Sequence, residues 1–305
     1  MKKGSVGRPK KLRSLEKKNS RWGWFFIAPW LVGITVFFAW PMLETAVYSF
    51  SKLSVGAGGF DKLFVGLDNY MYFFTKDTYF LSYLGESIGS SLPQVLIIIA
   101  FSTLIALVLK ENFPGRGLAR AVFFFPVIIA SGAVMNILQS QVMMTSSTTE
   151  VTQGYLFKAP DLVEVFGELG MPEQVLNSIT DIVNQVFDLT WKSGVQILLM
   201  LAAVNNIPTS FYEVANMEGA TQWEKFWKVT LPTISPTLLV VVIYSLIDGF
   251  MDYGNKVMQM LSSYYTNNNY SYSATIGVIY CVSILLLIGL VYKILSRWIF
   301  YSVDG

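Results

Sequence analysis

Six stretches of this chain are long and apolar enough, or nearly so, to cross a lipid bilayer: residues 22–43, 92–109, 118–138, 189–207, 231–251 and 273–300. A spanning helix needs about 20 apolar residues, because no water is present at that depth to take up unpaired backbone groups. The pattern predicts an all-α polytopic membrane protein. The fourth run is the weakest. Lys192, Gln196, Asn205 and Asn206 interrupt it, only 195–204 is mostly apolar, and a start in the amphipathic stretch 175–187 is an alternative. The first run is too long for the apolar core of a signal peptide and no small-residue cleavage site follows it closely, so it reads as a span.

Charge orients these spans. Residues 1–21 form a basic tail with nine Lys and Arg against the single acid Glu16. Directly before an apolar run, such a tail anchors a first helix on the cytoplasmic side more often than it binds nucleic acid. With the amino terminus inside and six spans, 16 of the 22 basic residues fall in inner segments and six in outer ones. Both termini are therefore expected in the cytoplasm. The longest connection, 139–188, lies outside and is acidic, with Glu150, Asp161, Glu164, Glu168, Glu173, Asp181 and Asp188 against Lys158. It reads as an ordered external cap with two short amphipathic helices.

The residue inventory is poor for catalysis. The chain has no His and one Cys, Cys281, which excludes His-ligated metals, His-based triads and intrachain disulfides. No cofactor or metal is expected. A Gly-rich stretch, 56–62, lacks the spacing of a phosphate-binding loop, so nucleotide chemistry is left to another chain.

One polar stretch stands apart. Residues 211–236, FYEVANMEGATQWEKFWKVTLPTISP, lie between the fourth and fifth runs on the inner side. Ser210 to Glu213 and Thr221 to Glu224 each have the pattern of a helix capping box, and Gly219 between them suits a left-handed turn. The reading is helix, turn, helix. Phe211, Val214, Ala215, Met217, Trp223, Phe226 and Trp227 then need burial, against the chain's own membrane domain, on a lipid surface, or in a cytosolic partner.

The run Glu213-Val-Ala215-x-x-Glu218-Gly219-Ala220, followed by Phe226, Val229, Leu231-Pro232 and Pro236, resembles the EAA loop of bacterial ABC-importer permeases. Val214, Glu218 and Val229 are conservative departures from that pattern. Further stretches are similar to permeases of the maltose and multiple-sugar type: 26–30 (FIAPW), 65–70 (VGLDNY), 115–120 (GRGLAR), 124–126 (FFP) and 207–213 with its Pro, Tyr and Glu. Residues 139–188 and 261–272 carry no such pattern. The resemblance implies the transmembrane domain of a type I importer, residues 22–305, in which 209–231 is the coupling loop. It implies a second, homologous permease as partner, cytosolic ATP-binding subunits, an extracytoplasmic solute-binding protein, and a multi-pass location in a bacterial plasma membrane. The contact with the ATPase falls on Glu213, Ala215, Glu218, Gly219 and Ala220, and the cargo is a sugar or oligosaccharide.

Ionisable groups inside a membrane usually face a cavity or a partner. Asp248 and Asp252 stand four apart in the fifth run, a spacing that puts both on one helical face beside Tyr253. Sugars need fixed hydrogen-bonding groups and flat aromatic surfaces. In the family the sugar contacts the helices matching the third, fourth and fifth runs, which makes Asn136, Gln139, Trp191, Gln196, Asp248, Asp252 and Tyr253 the candidates here. An ion-coupled secondary transporter using Asp248 and Asp252 is the rival reading. The second and sixth runs carry no charge over 92–109 and 273–292 and read as packing or lipid-facing helices.

Overall fold

The computed structural model describes residues 13–56, 59–130, 173–252 and 254–299. The chain divides into two compact units, residues 1–76 with 263–279 and residues 77–262 with 280–305.

In the first unit α1 (Arg13–Ile34) passes through a π turn at Thr35–Ala39 into α2 (Trp40–Ser49). The all-α expectation needs one correction. A two-stranded antiparallel hairpin follows, β1 (Ser51–Gly56) against β2 (Gly59–Phe64), in register from Ser51 opposite Phe64 to Gly56 opposite Gly59. The alternation of Lys52, Leu53, Ser54 and Val55 has the period of a strand, and it was hidden by the search for long apolar runs. After α3 (Asp68–Thr75), one buried side chain gathers the unit: Asn69 donates to the carbonyls of Ser49 and Ser51 at 2.9 and 3.1 Å. Aromatic packing completes it, with Tyr72 stacked on Tyr272 at 4.8 Å and fully buried Phe73 edge-on to both Tyr264 and Tyr272.

The second unit is built on α4 (Phe80–Lys110), α5 (Arg116–Ala130), α6 (Glu173–Lys192) and α7 (Gly194–Asn205). There follow α8 (Thr209–Met217), α9 (Gln222–Lys225), a π turn at Phe226–Thr230 and α10 (Leu231–Met251). Finally α11 (Lys256–Thr266) and α12 (Tyr270–Leu295) begin or end in this unit. Helices α4, α7 and α10 pack on one another around Ala106, Leu109, Ile197, Met200, Val204, Ile207, Ile234 and Val241. In lipid such a core is held by close packing and not by expulsion of water, since acyl chains are as apolar as Leu. Buried hydroxyls are satisfied within their own helix, as where Ser102 and Thr103 donate to the carbonyls of Ile98 and Ile99 at 2.6 and 2.7 Å. Away from that core α4 stays apolar and open at Leu96, Leu104 and Val108, as a lipid-facing surface would.

Among the described residues, four helical stretches are long and apolar enough to cross a membrane: Gly23–Ser49, Phe80–Lys110, Gln222–Met251 and Tyr270–Trp298. Helices α6 and α7, bent by 60° at Ser193, make a fifth if the broken pair is one span. Helix α6 covers the amphipathic stretch that the sequence offered as an alternative start of the fourth run. Of the third run, only the part to Ala130 is described, within α5.

Candidate functional site

The polar segment after α7 forms the expected helix, turn and helix, with one end built differently. Helix α8 starts at Thr209 behind Pro208, and no side chain caps it. The Ser210–Glu213 box is thus not formed. Pro208, extended at ψ 135, already sets the helix start and puts Ser210 inside the first turn. The other end follows the sequence closely. Gly219 has φ +72, its N–H reaches the carbonyl of Asn216 at 3.0 Å, and the N–H of Ala220 reaches that of Ala215 at 2.9 Å. This pair of bonds is a Schellman motif, which satisfies two orphan carbonyls of α8. The second box is complete: Thr221 accepts from the N–H of Glu224 at 3.3 Å while the Glu224 carboxylate accepts from the N–H of Thr221 at 2.9 Å.

What the hairpin presents follows from this frame. Glu213 and Glu218 are exposed and make no ion pair among the described residues. Val214, Met217 and Trp223 stand open around them, Met217 being 89% exposed. Ala215 differs from the other expected contact residues, since it is buried against its own chain. Its small side chain serves the packing of α8, and Gly219 and Ala220 serve the turn.

Sequence reasoning missed Tyr212, which keys this hairpin to the membrane helices. Its ring lies 4.2 Å below the ammonium of Lys110, the last residue of α4. Its hydroxyl pairs at 2.9 Å with that of Thr230, which is buried in the π turn before α10. Tyr212→Phe keeps the ring but leaves the Thr230 hydroxyl without its partner. Loss of this bond is expected to cost about 0.5–1.5 kcal/mol, read as a lower unfolding midpoint of the purified chain, with Tyr212→Leu costing more because the cation–π contact goes as well.

The membrane-depth candidates divide three ways. Asn136, Gln139 and Tyr253 lie outside the described residues. Helix α10 ends at Met251, and the chain leaves it at Asp252, whose ψ is 133. Asp252 accepts from the ammonium of Lys192 at 2.7 Å and from the N–H of Gly254 at 2.8 Å. Lys192 also pairs with Asp188 at 3.3 Å, one turn back on α6. A residue that looked like an interruption of the fourth run is therefore the counterion that ties the break between α6 and α7 to the end of α10. Asp248 remains exposed and is in no ion pair among the described residues.

Gln196 is fully buried one turn below Lys192. Its amide donates to Ser245 on α10 at 3.2 Å, and its Oε1 has no hydrogen-bond partner among the described residues. Trp191 stacks on Phe187 and lines an apolar groove of about 500 Å3 between α5 and α6, away from the charged cluster. The structure thus brings together Gln196 with Ser245 and Asp252 with Lys192, and sets Trp191 apart.

The second run carries more polarity than the sequence reading gave it, because the helix begins a dozen residues before the apolar stretch. Ser87 on α4 accepts from the Asn255 amide at 2.6 Å and donates to Tyr280 of α12 at 2.9 Å, while Tyr280 donates to the carbonyl of Phe250 at 3.0 Å. These bonds join α4, α10 and α12 at one level.

Comparison with known proteins agrees with this arrangement. Residues 190–303, which run from the last turn of α6 through α7, the hairpin and α10, match the family described as binding-protein-dependent transport system inner membrane component. The chain is 29% identical over 233 residues to the multiple sugar-binding transport system permease protein MsmF of Streptococcus mutans, covering 76% of this chain and 75% of that protein. It is 26% identical over 247 residues to the probable ABC transporter permease protein YesP of Bacillus subtilis, covering 80% and 74% respectively. Its fold matches that of one chain in the crystal structure of a bacterial alginate ABC transporter in complex with an alginate pentasaccharide-bound periplasmic protein, with a TM-score of 0.65 at 16% identity over 93% of this chain and 98% of that one. Residues 190–303 thus carry the domain of binding-protein-dependent transport system inner membrane components, and most of the chain is similar to ABC transporter permease proteins.

Proposed function

We propose that this chain is one half of the translocation pathway of an ATP-driven sugar importer, coupled through residues 209–231 to a cytosolic ATPase. One observation carries the reading. The hairpin is closed by a Schellman motif and a capping box, yet it holds two carboxylates with no ion pair among the described residues and a rim of apolar side chains in the open. An element with such carboxylates and exposed Val214, Met217 and Trp223 has the makeup of an interface. The sugar class rests on the relatives, among them a multiple sugar-binding system and an alginate transporter.

In this reading six spans place both termini in the cytoplasm of a bacterial cell, a second homologous permease completes the pathway, and a solute-binding protein delivers the cargo from outside. Gln196, Asp248 and Asp252, with Asn136, Gln139 and Tyr253, face the pathway, and Trp191 borders it. The ion-coupled alternative is weakened by the pairing of Asp252 with Lys192, which leaves only Asp248 without a counterion among the described residues.

The function is tested by purifying the chain with its second permease and ATPase and measuring ATP-dependent uptake of maltose, trehalose and arabino-oligosaccharides into proteoliposomes with the binding protein present. Uptake of at least one is expected, and uptake that persists without ATP but follows an ion gradient would overturn the proposal. Topology has its own test. In a Cys281→Ser background, Ser147→Cys is expected to react with an impermeant thiol reagent added outside intact cells and Gln222→Cys to stay unlabelled, the reverse pattern being incompatible with six spans.

A further inference from the structure

Helix α6 carries two stripes that point to two different neighbours. Ile182, Val186 and Phe187 line the apolar groove against α5. Gln185, Asp188 and Lys192, at the i, i+3 and i+7 spacing of one helical face, look the other way into a cleft of about 400 Å3 against α4. From α4 the cleft receives Ser90 and Gln94, one turn apart.

We propose that this cleft between α4 and α6 is a binding site for an uncharged, hydroxyl-rich solute, held chiefly by the amides of Gln94 and Gln185. The proposal rests on the reading of the chain as a solute permease and adds α4, a helix the sequence gave no such role. Three observations support it. First, neither Gln94 nor Gln185 makes a side-chain hydrogen bond among the described residues, so two donors and acceptors of each amide are unspent. Gln94 is half-buried within the apolar length of α4, where an amide facing hydrocarbon would be expensive. A wetted cleft removes that cost and a sugar hydroxyl supplies the bonds. Second, the volume lies in the range of roughly 300–1,000 Å3 usual for small-molecule sites. Apolar Pro93, Ile97 and Leu189 between the polar groups offer surface to the C–H faces of a ring. Third, the charge is already balanced against anions. The one cation of the cleft, Lys192, is shared by Asp188 and Asp252 at 3.3 and 2.7 Å, so an incoming carboxylate or phosphate meets two acids and no free ammonium.

The test uses the assembled transporter without its binding protein, so that affinity belongs to the membrane chains, and a radiolabelled sugar chosen as the best transported of maltose, trehalose and arabino-oligosaccharide. Replacing both amides, Gln94→Leu with Gln185→Leu, is expected to weaken binding about tenfold, the loss expected for two neutral hydrogen bonds. Trigalacturonate at equal concentration should not displace the label. If the double variant fails to assemble, Gln94→Cys in the Cys281→Ser background gives the same answer, because bound sugar should slow its reaction with a water-soluble thiol reagent severalfold. Unchanged affinity in the double variant, unprotected thiol at position 94, or displacement by trigalacturonate would each overturn the site while sugar transport by the wild type stands. A wild type that moves and binds none of the three sugars would instead overturn the importer reading, and this site with it.

Discussion

Gly219→Val is expected to leave the membrane helices inserted while ATP-driven uptake falls roughly 5- to 30-fold and the ATPase no longer co-purifies quantitatively. The argument starts from the backbone. Gly219 sits at φ +72, in the left-handed region, where a β-branched residue is strained by about 1–2 kcal/mol. That strain alone corresponds to the stated factor in the population of the closed turn. A Cβ built at Gly219 meets nothing within 4 Å in its own chain, so no clash inside the permease accompanies it and the six expected spans have no reason to misfold. The damage is confined to the two bonds from Gly219 and Ala220 that end α8, and to whatever approaches the open turn from outside. Gly219→Asn is the informative companion, because Asn tolerates the left-handed region several-fold better than Val. It should retain most of the coupling if backbone shape is what matters, and little of it if a partner needs the absence of a side chain. Normal ATPase recovery and normal uptake in Gly219→Val would mean that the hairpin lies on the membrane surface and couples nothing.

The second large effect is expected at Lys192. In Lys192→Met the carboxylates of Asp188 and Asp252 lose a counterion held at 3.3 and 2.7 Å. Stranding a fully buried charge costs about 3–5 kcal/mol, but here the side chains of Lys192 and Asp252 are 28% and 32% exposed, and water screens part of the loss. A destabilisation of about 1–3 kcal/mol is therefore expected, seen as a lower unfolding midpoint in detergent and as lost uptake. The double variant Lys192→Met with Asp252→Asn removes the stranded charge and should recover most of the midpoint. If the single variant is as stable as the double, the pair contributes nothing and the α6–α7 break is held by other contacts.

How far these features were legible in the sequence depends on the distance between the residues that make them. The turn at Gly219 and the Thr221–Glu224 box are local, three to five residues across, and their chemistry is written in the order of the side chains. The hairpin at 51–64 was also local, yet it was missed because a search tuned to 20-residue apolar runs does not see a period of two over six residues. Ser210 shows the opposite error: its box pattern was present, but Pro208 had already fixed the start of the helix. The polar contacts of the membrane unit were the least readable, because each one joins residues far apart in sequence. Nothing near Lys192 announces Asp252, 60 positions on, and nothing near Ser87 announces Asn255 or Tyr280. The end of α10 is a further case, because nothing in the sequence marks Met251 as its last residue and Asp252 as the position where the chain turns off beside Lys192.

The π turn at Phe226–Thr230 absorbs one extra residue between the hairpin and α10. A π turn holds one residue more than the α-helical turn it replaces, and each residue of an α-helix advances the chain by about 100°. Deleting one residue between Phe226 and Thr230 would allow the rod to close as plain α-helix, with Trp223 still in place at one end. Because the π turn spends five residues on about the rotation that four give in an α-helix, that deletion would leave the side chains of α10 facing as they do now, with Ser245 still opposite Gln196, whereas a residue removed from α10 itself ahead of Ser245 would turn that face by about 100°. The segment thus takes up one residue of chain length without changing which face of α10 looks into the protein.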